Sequence, residues 1–136
     1  MAHIAILGLG NWGTAVARMW LLEGHKVKGW TIEQEVYESV VMDGVNKKYL
    51  PDHSVEGLEA TMRIDEALDG VEIVVLAIPS SVILDVVDDI IPHLRPGHVL
   101  IDLAKGLAPG KRLISEAINE KLKNAQKTNP LAVVTG

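Results

Sequence analysis

The chain has 136 residues, 48% of them hydrophobic, with 13 Lys and Arg against 18 Asp and Glu for a formal net charge of -5. That balance excludes general binding to nucleic acid or to an acidic membrane surface, while the apolar content is ample for the core of one domain. The absence of cysteine excludes disulfides, thiolate metal sites and a cysteine nucleophile, and it accords with a reducing, cytoplasmic setting.

Without Phe, the core must be built from Val, Ile, Leu and Ala, the mixture expected of parallel strands covered by helices on both faces. No leader pattern and no run of 18 apolar residues is present, so neither secretion nor a membrane span is expected.

Taken in order, His3 to Leu7 reads as a strand, Gly8-Leu9-Gly10-Asn11-Trp12-Gly13 as a G-x-G-x-x-G turn, and Thr14 to Glu23 as a helix closed by Gly24. Residues His25 to Trp30 form a second expected strand and Ile32 to Met42 a helical segment. The stretch Asn46 to His53 carries the turn formers of a surface loop. A third strand is expected over Glu59 to Ile64, then a short helix capped by Asp65 and stopped by Gly70.

Val71 to Ile78 is nearly continuous in apolar residues and should be a central strand, ended by Pro79. Ser80 or Ser81 would cap the helix that follows, with Asp85, Asp88 and Asp89 outward. Further on, His98 to Leu103 reads as a strand, Lys105-Gly106-Leu107 as a loop, Lys111 to Asn124 as a helix and Leu131 to Val134 as a sixth strand. Strands alternating with helices predict an α/β fold with a doubly wound parallel sheet, a Rossmann-type dinucleotide-binding domain of strand order 3-2-1-4-5-6. The apolar end, Leu131 to Gly136, reads as a buried strand needing cover, so residues 1–136 are expected to be the cofactor half of a longer protein.

Ligands of such sheets gather at the carboxyl ends of the strands, where Gly8 to Gly13, Trp30 to Glu33, Ile78 to Ser81 and Ala104 to Gly106 converge. Gly8 suits the turn, Gly10 lets the backbone approach a pyrophosphate, and Gly13 lets the helix lie close to the strand. Glu33 lies 20 positions after Gly13, the spacing of an acid that bonds the adenosine ribose. No Lys or Arg lies between Thr31 and Glu35, which favours NAD over NADP. Lys105 is placed to reach over the crevice. The five histidines show no metal-ligand spacing, so no metal is expected.

Together these segments resemble the N-terminal domain of NAD(P)-dependent glycerol-3-phosphate dehydrogenases. Gly8 to Ala15 resembles the family's glycine motif with its Trp-Gly-Thr-Ala continuation, Asn46 to Pro51 its Asn-x-x-Tyr-Leu-Pro loop, and Ala77 to Ser80, Lys105 to Leu107 and Leu131 to Gly136 fall in the family's order. The resemblance implies hydride transfer between NAD(P)H and dihydroxyacetone phosphate to give sn-glycerol 3-phosphate, a step toward phospholipid biosynthesis. It implies Lys105 as a catalytic residue contacting cofactor and substrate, and Gly136 at the substrate site. It also implies cofactor contacts from Gly8, Gly10, Asn11, Trp12, Gly13, Glu33, Pro79 and Ser80.

Two departures stand out: Asn11 where the family commonly has Ser, and Ile32 where it often has a basic residue. The second counts against NADP, which stays open beside NAD. By the same resemblance the proton-transfer lysine and the phosphate site belong to a helical C-terminal domain absent here. The chain alone is therefore expected to be inactive and monomeric, and the full-length protein a homodimer. Two other readings stay open: a stand-alone nucleotide-binding or redox-sensing module, and the cofactor domain of another two-domain dehydrogenase such as a ketopantoate reductase.

Overall fold

The computed structural model describes residues 1–104, 107–108 and 112–134. Six strands, β1 (His3–Leu7), β2 (Lys26–Trp30), β5 (Glu59–Thr61), β6 (Ile73–Leu76), β7 (Val99–Asp102) and β10 (Leu131–Val133), form one sheet in the order β10-β7-β6-β1-β2-β5. Every pairing in it is parallel. Counted along the chain this is the predicted order, with the switch between β1 and β6. Leu7 pairs with Trp30 on one side and Leu76 on the other, and Leu76 with Asp102, so four strand ends lie level along one edge.

Alternation along β1 and β6 sends side chains to two cores. Ala5, Leu7, Val74 and Leu76 face α3 (Ile64–Leu68), α4 (Ile83–Ile90) and α5 (Ile114–Asn124), whereas Ile4, Ile6 and Val75 face α1 (Asn11–Leu22) and α2 (Gln34–Asp43). Each fully buried Leu or Ile in these layers contributes about 1.5 to 3 kcal/mol. The first core is pinned by His98, which is 3% exposed: its Nδ1 accepts from the Arg95 amide at 3.0 Å and its Nε2 meets the Leu68 carbonyl at 3.0 Å.

Several boundaries differ from the sequence expectation for identifiable reasons. Helix α1 begins at Asn11 rather than Thr14, because the Thr14 amide bonds the Gly10 carbonyl at 3.0 Å and closes the first turn inside the glycine motif. The expected loop Asn46 to His53 contains an antiparallel hairpin, β3 (Val45–Asn46) with β4 (Leu50–Ser54), and Asn46 is completely buried. Asp65 does not cap α3; Thr61 accepts from the Arg63 amide at 3.1 Å and donates to Glu66, while Asp65 takes both arms of Arg63.

Neither Ser80 nor Ser81 caps α4. Its N-cap is Val82, and the Val82 and Ile83 amides both bond the Pro79 carbonyl at 3.0 Å. Helix α5 starts at Ile114 because Arg112 and Leu113 are drawn into a two-residue strand, β9, opposite β8 (Leu107–Ala108). The final strand is the sheet's edge and not buried, with Val133 45% exposed and Val134, just past it, 47%. A short 3₁₀ turn, Ile91–His93, follows α4.

Candidate functional site

A cavity of about 640 Å³ opens over the level strand ends at the switch point, within the usual range for small-molecule sites. Its walls are Gly8 to Gly13, Trp30 to Glu33, Ala77 to Pro79, the first turn of α4, Leu103 and Ala104, with Tyr49 closing one side.

The three glycines do different physical work. Gly8 sits at φ +110, bonds the Trp30 carbonyl at 2.9 Å, and a Cβ there would lie 2.3 Å from the Ala77 carbonyl oxygen. A Cβ on Gly13 would lie 1.9 Å from the Gly8 carbonyl oxygen. Both positions are shut by backbone, which cannot step aside. Gly10 has nothing within 4 Å of where its Cβ would stand, and it lines the cavity. The bare side of Gly10 is therefore open space at the mouth of a helix.

That helix is electrically distinctive. Helices α2, α3, α4 and α5 each carry an acid in the first turn, whereas α1 has none and no side-chain cap at Gly10. Its first amides and the positive end of its dipole are left to whatever occupies the cavity, and an anion satisfies both. A pyrophosphate fits the space beside Gly10 and the donors that face it. Asn11 and Trp12, both exposed, line the same mouth.

At the opposite end, Glu33 lines the wall just beyond β2. Its amide bonds Thr31 Oγ1 at 3.1 Å. Its carboxylate receives the Lys48 ammonium at 2.5 Å and the Tyr49 hydroxyl at 2.8 and 3.1 Å, and Lys48 also reaches Glu35 at 3.1 Å. The Lys48 ammonium foremost, then the Tyr49 hydroxyl, holds Glu33 below the usual carboxylate range. Conversely, Glu33 and then Glu35 raise Lys48, and hydrogen bonding to Glu33 raises Tyr49.

The loop that brings Lys48 and Tyr49 here is tied to the glycine turn by Asn46. Its Nδ2 donates to the Leu9 carbonyl at 2.9 Å and to Thr14 Oγ1 at 2.8 Å, and its Oδ1 accepts from the Tyr49 amide at 3.3 Å. Beneath Leu103 and Ala104 of the lining, at the end of β7, Asp102 is 1% exposed and accepts from the Ala104 amide at 2.8 Å; burial raises the pKa of its carboxyl.

Of the sequence-predicted site residues, Gly8, Gly10, Asn11, Trp12, Gly13, Glu33 and Pro79 come together on the cavity. Ser80 is exposed and stands outside its lining. Lys105 and Gly136 lie outside the described residues. Among the described residues no group of three or more metal-ligating side chains is present, and no helix is long and apolar enough to cross a membrane. Sequence reasoning misses Lys48 as the cation beside the β2 end, because it lies 15 positions beyond Glu33, far outside the 31–35 stretch that follows the strand. Tyr49 and Asn46 stood in a segment read as loop, where a buried polar residue gives no periodic signal.

The profile of the family described as NAD-dependent glycerol-3-phosphate dehydrogenase N-terminus matches residues 3–136. A glycerol-3-phosphate dehydrogenase [NAD(P)+] of Listeria monocytogenes is 35% identical over 135 residues, 98% of this chain and 40% of that protein. The crystal structure of glycerol-3-phosphate dehydrogenase from Coxiella burnetii superposes with a TM-score of 0.87 at 32% identity, covering 99% of this chain and 41% of that one. The enzyme of that name from yeast, at 23% identity and a TM-score of 0.83 over 99% of this chain and 42% of that one, shares the fold. The chain thus spans about two fifths of the length of the relatives it matches. With the glycine turn, the switch-point cavity and the strand order all in place, the chain belongs to the family of NAD-dependent glycerol-3-phosphate dehydrogenase N-termini.

Proposed function

We propose that this chain is the dinucleotide-binding part of an oxidoreductase that interconverts dihydroxyacetone phosphate and sn-glycerol 3-phosphate with NAD(P)H. The observation that carries the reading is the contrast at the glycine turn: Gly8 and Gly13 closed by backbone, Gly10 open, and the acid-free N-terminus of α1 facing the gap. The names of the similar proteins supply glycerol 3-phosphate, and dihydroxyacetone phosphate is the ketone that loss of a hydride and a proton at its secondary alcohol gives.

In this reading the Gly10 to Gly13 amides hold the pyrophosphate, and Glu33 meets the adenosine ribose from the end of β2. Pro79 forms part of the wall along the cofactor, with Ser80 beside it. The apolar lining keeps water from the reacting carbon. When bound, the nicotinamide supplies the hydride that reduces the substrate carbonyl carbon, and a proton completes the alcohol. By family resemblance Lys105 lies by the developing oxygen charge and Gly136 by the substrate.

Residues that donate the proton and hold the substrate phosphate belong to a helical domain beyond this chain. The chain accordingly binds cofactor with little or no turnover, and the whole enzyme works in the cytoplasm as a homodimer feeding phospholipid synthesis.

The test is titration of the folded chain with NADH, followed by tryptophan fluorescence and calorimetry, against Gly10→Val. Saturable binding that falls at least tenfold in a normally folded Gly10→Val variant is expected, since the new side chain fills only the phosphate space. Absence of binding by the folded parent chain would overturn the reading.

A further inference from the structure

Just outside the β2 end of the cavity, behind Glu33 and Tyr49 of its lining, stands a cation with acidic partners on two sides. Lys48 Nζ lies 2.5 Å from Glu33 and 3.1 Å from Glu35. An ammonium has three donors, and these two contacts leave one for a ligand. The Lys48 side chain is 43% exposed, on a flexible four-carbon stem, so it can turn without breaking core contacts. Neighbouring cations are engaged elsewhere: Lys47 with Asp43 at 2.8 Å, Arg63 with Asp65 at 2.8 Å, and Lys28 with the Glu66 and Asp69 carbonyls at 3.0 and 2.7 Å.

Resting on the dinucleotide reading above, we propose that Lys48 is the specificity-determining residue that admits a 2′-phosphorylated adenosine nucleotide, passing from Glu33 and Glu35 to the phosphate when one enters. The charges support the exchange. Glu33, Glu35 and Lys48 together carry one net negative charge, which a neutral ribose diol tolerates and a phosphate dianion does not, unless Lys48 turns to meet it. The swap replaces a carboxylate partner with a phosphate bearing more charge and more acceptor oxygens. A ribose with free hydroxyls leaves the pair intact and uses the remaining acceptor capacity of Glu33. The same pocket then takes NAD and NADP, with only the second depending on Lys48 and the second more sensitive to salt.

The experiment uses the folded chain and two probes that differ in one phosphate, 5′-ADP and 2′,5′-ADP, titrated calorimetrically against the parent, Lys48→Met, Lys48→Arg and Glu33→Gln. Lys48→Met should weaken 2′,5′-ADP about tenfold and 5′-ADP less than about twofold. Lys48→Arg should restore most of the loss, Glu33→Gln should tighten 2′,5′-ADP, and added salt should weaken 2′,5′-ADP more than 5′-ADP. Equal weakening of both probes by Lys48→Met would overturn the proposal by making Lys48 a prop for Glu33, and so would no change in either. If 5′-ADP binds and 2′,5′-ADP is indifferent to Lys48, this proposal fails and the dinucleotide reading stands. If neither probe nor NADH binds the folded parent, both fail together.

Discussion

At one end of the cavity the Gly8 to Gly13 turn offers backbone amides and empty space; at the other, Glu33 and Tyr49 line the wall and Lys48 stands behind them on Glu33. The first end is rigid because Gly8 and Gly13 are wedged against the carbonyl oxygens of Ala77 and of Gly8. The second is adjustable, because its ion pair is half in water and its lysine has two partners to choose from. In the proposed binding mode a feature common to every dinucleotide, the pyrophosphate, is met by the end that cannot move. The feature that varies, the ribose 2′ position, is met by the end that can.

The largest effect expected from breaking this contrast is within the rigid end. Gly13→Ala places a Cβ 1.9 Å from a backbone oxygen and should destabilise the fold by about 3 kcal/mol, whereas Gly10→Ala, with nothing within 4 Å, should stay within about 0.5 kcal/mol. Urea denaturation of the two variants checks this, and equal midpoints would refute the wedge. Next comes the tie between the ends: Asn46→Ala leaves the Leu9 carbonyl and Thr14 hydroxyl without their buried donor and should cost about 2 kcal/mol. A loss under about 0.5 kcal/mol would mean that water replaces the amide there.

The smallest effect belongs to the adjustable end and shows only in acid. Glu33 has a folded pKa lowered from its ordinary 4.5, so its contribution is fully present above that value and disappears as pH falls through the lowered one. Because the pair is partly exposed and screened by water, the contribution is small. Stability measured from about pH 5 down to about pH 3 should therefore fall slightly more steeply in the parent than in Lys48→Met, where Glu33 has lost its cation. Parallel acid limbs would show that Lys48 leaves Glu33 unperturbed.

Most of the fold was legible along the chain. The apolar runs His3 to Leu7 and Val71 to Ile78 and the glycine at each turn are local signals, and right-handed crossovers turn their sequence into the observed order. Helix starts were less legible. The Pro79 carbonyl, not a serine, closes the first turn of α4, and Thr61, four residues before Asp65, organises the start of α3. Backbone groups that compete with side chains for a cap leave no mark on residue identity.

Periodicity and turn chemistry act within a few residues, so the buried faces, the change of sheet direction and the glycines of the switch point can all be read along the chain. Folding in three dimensions is what sets Asn46 on the Leu9 carbonyl 37 positions away and closes Lys48 and Tyr49 on Glu33 across 15 and 16 positions. Those meetings follow from how the β3–β4 hairpin packs beside α1 and α2. A polar side chain's partner across such a gap is set by that packing, which no local pattern encodes.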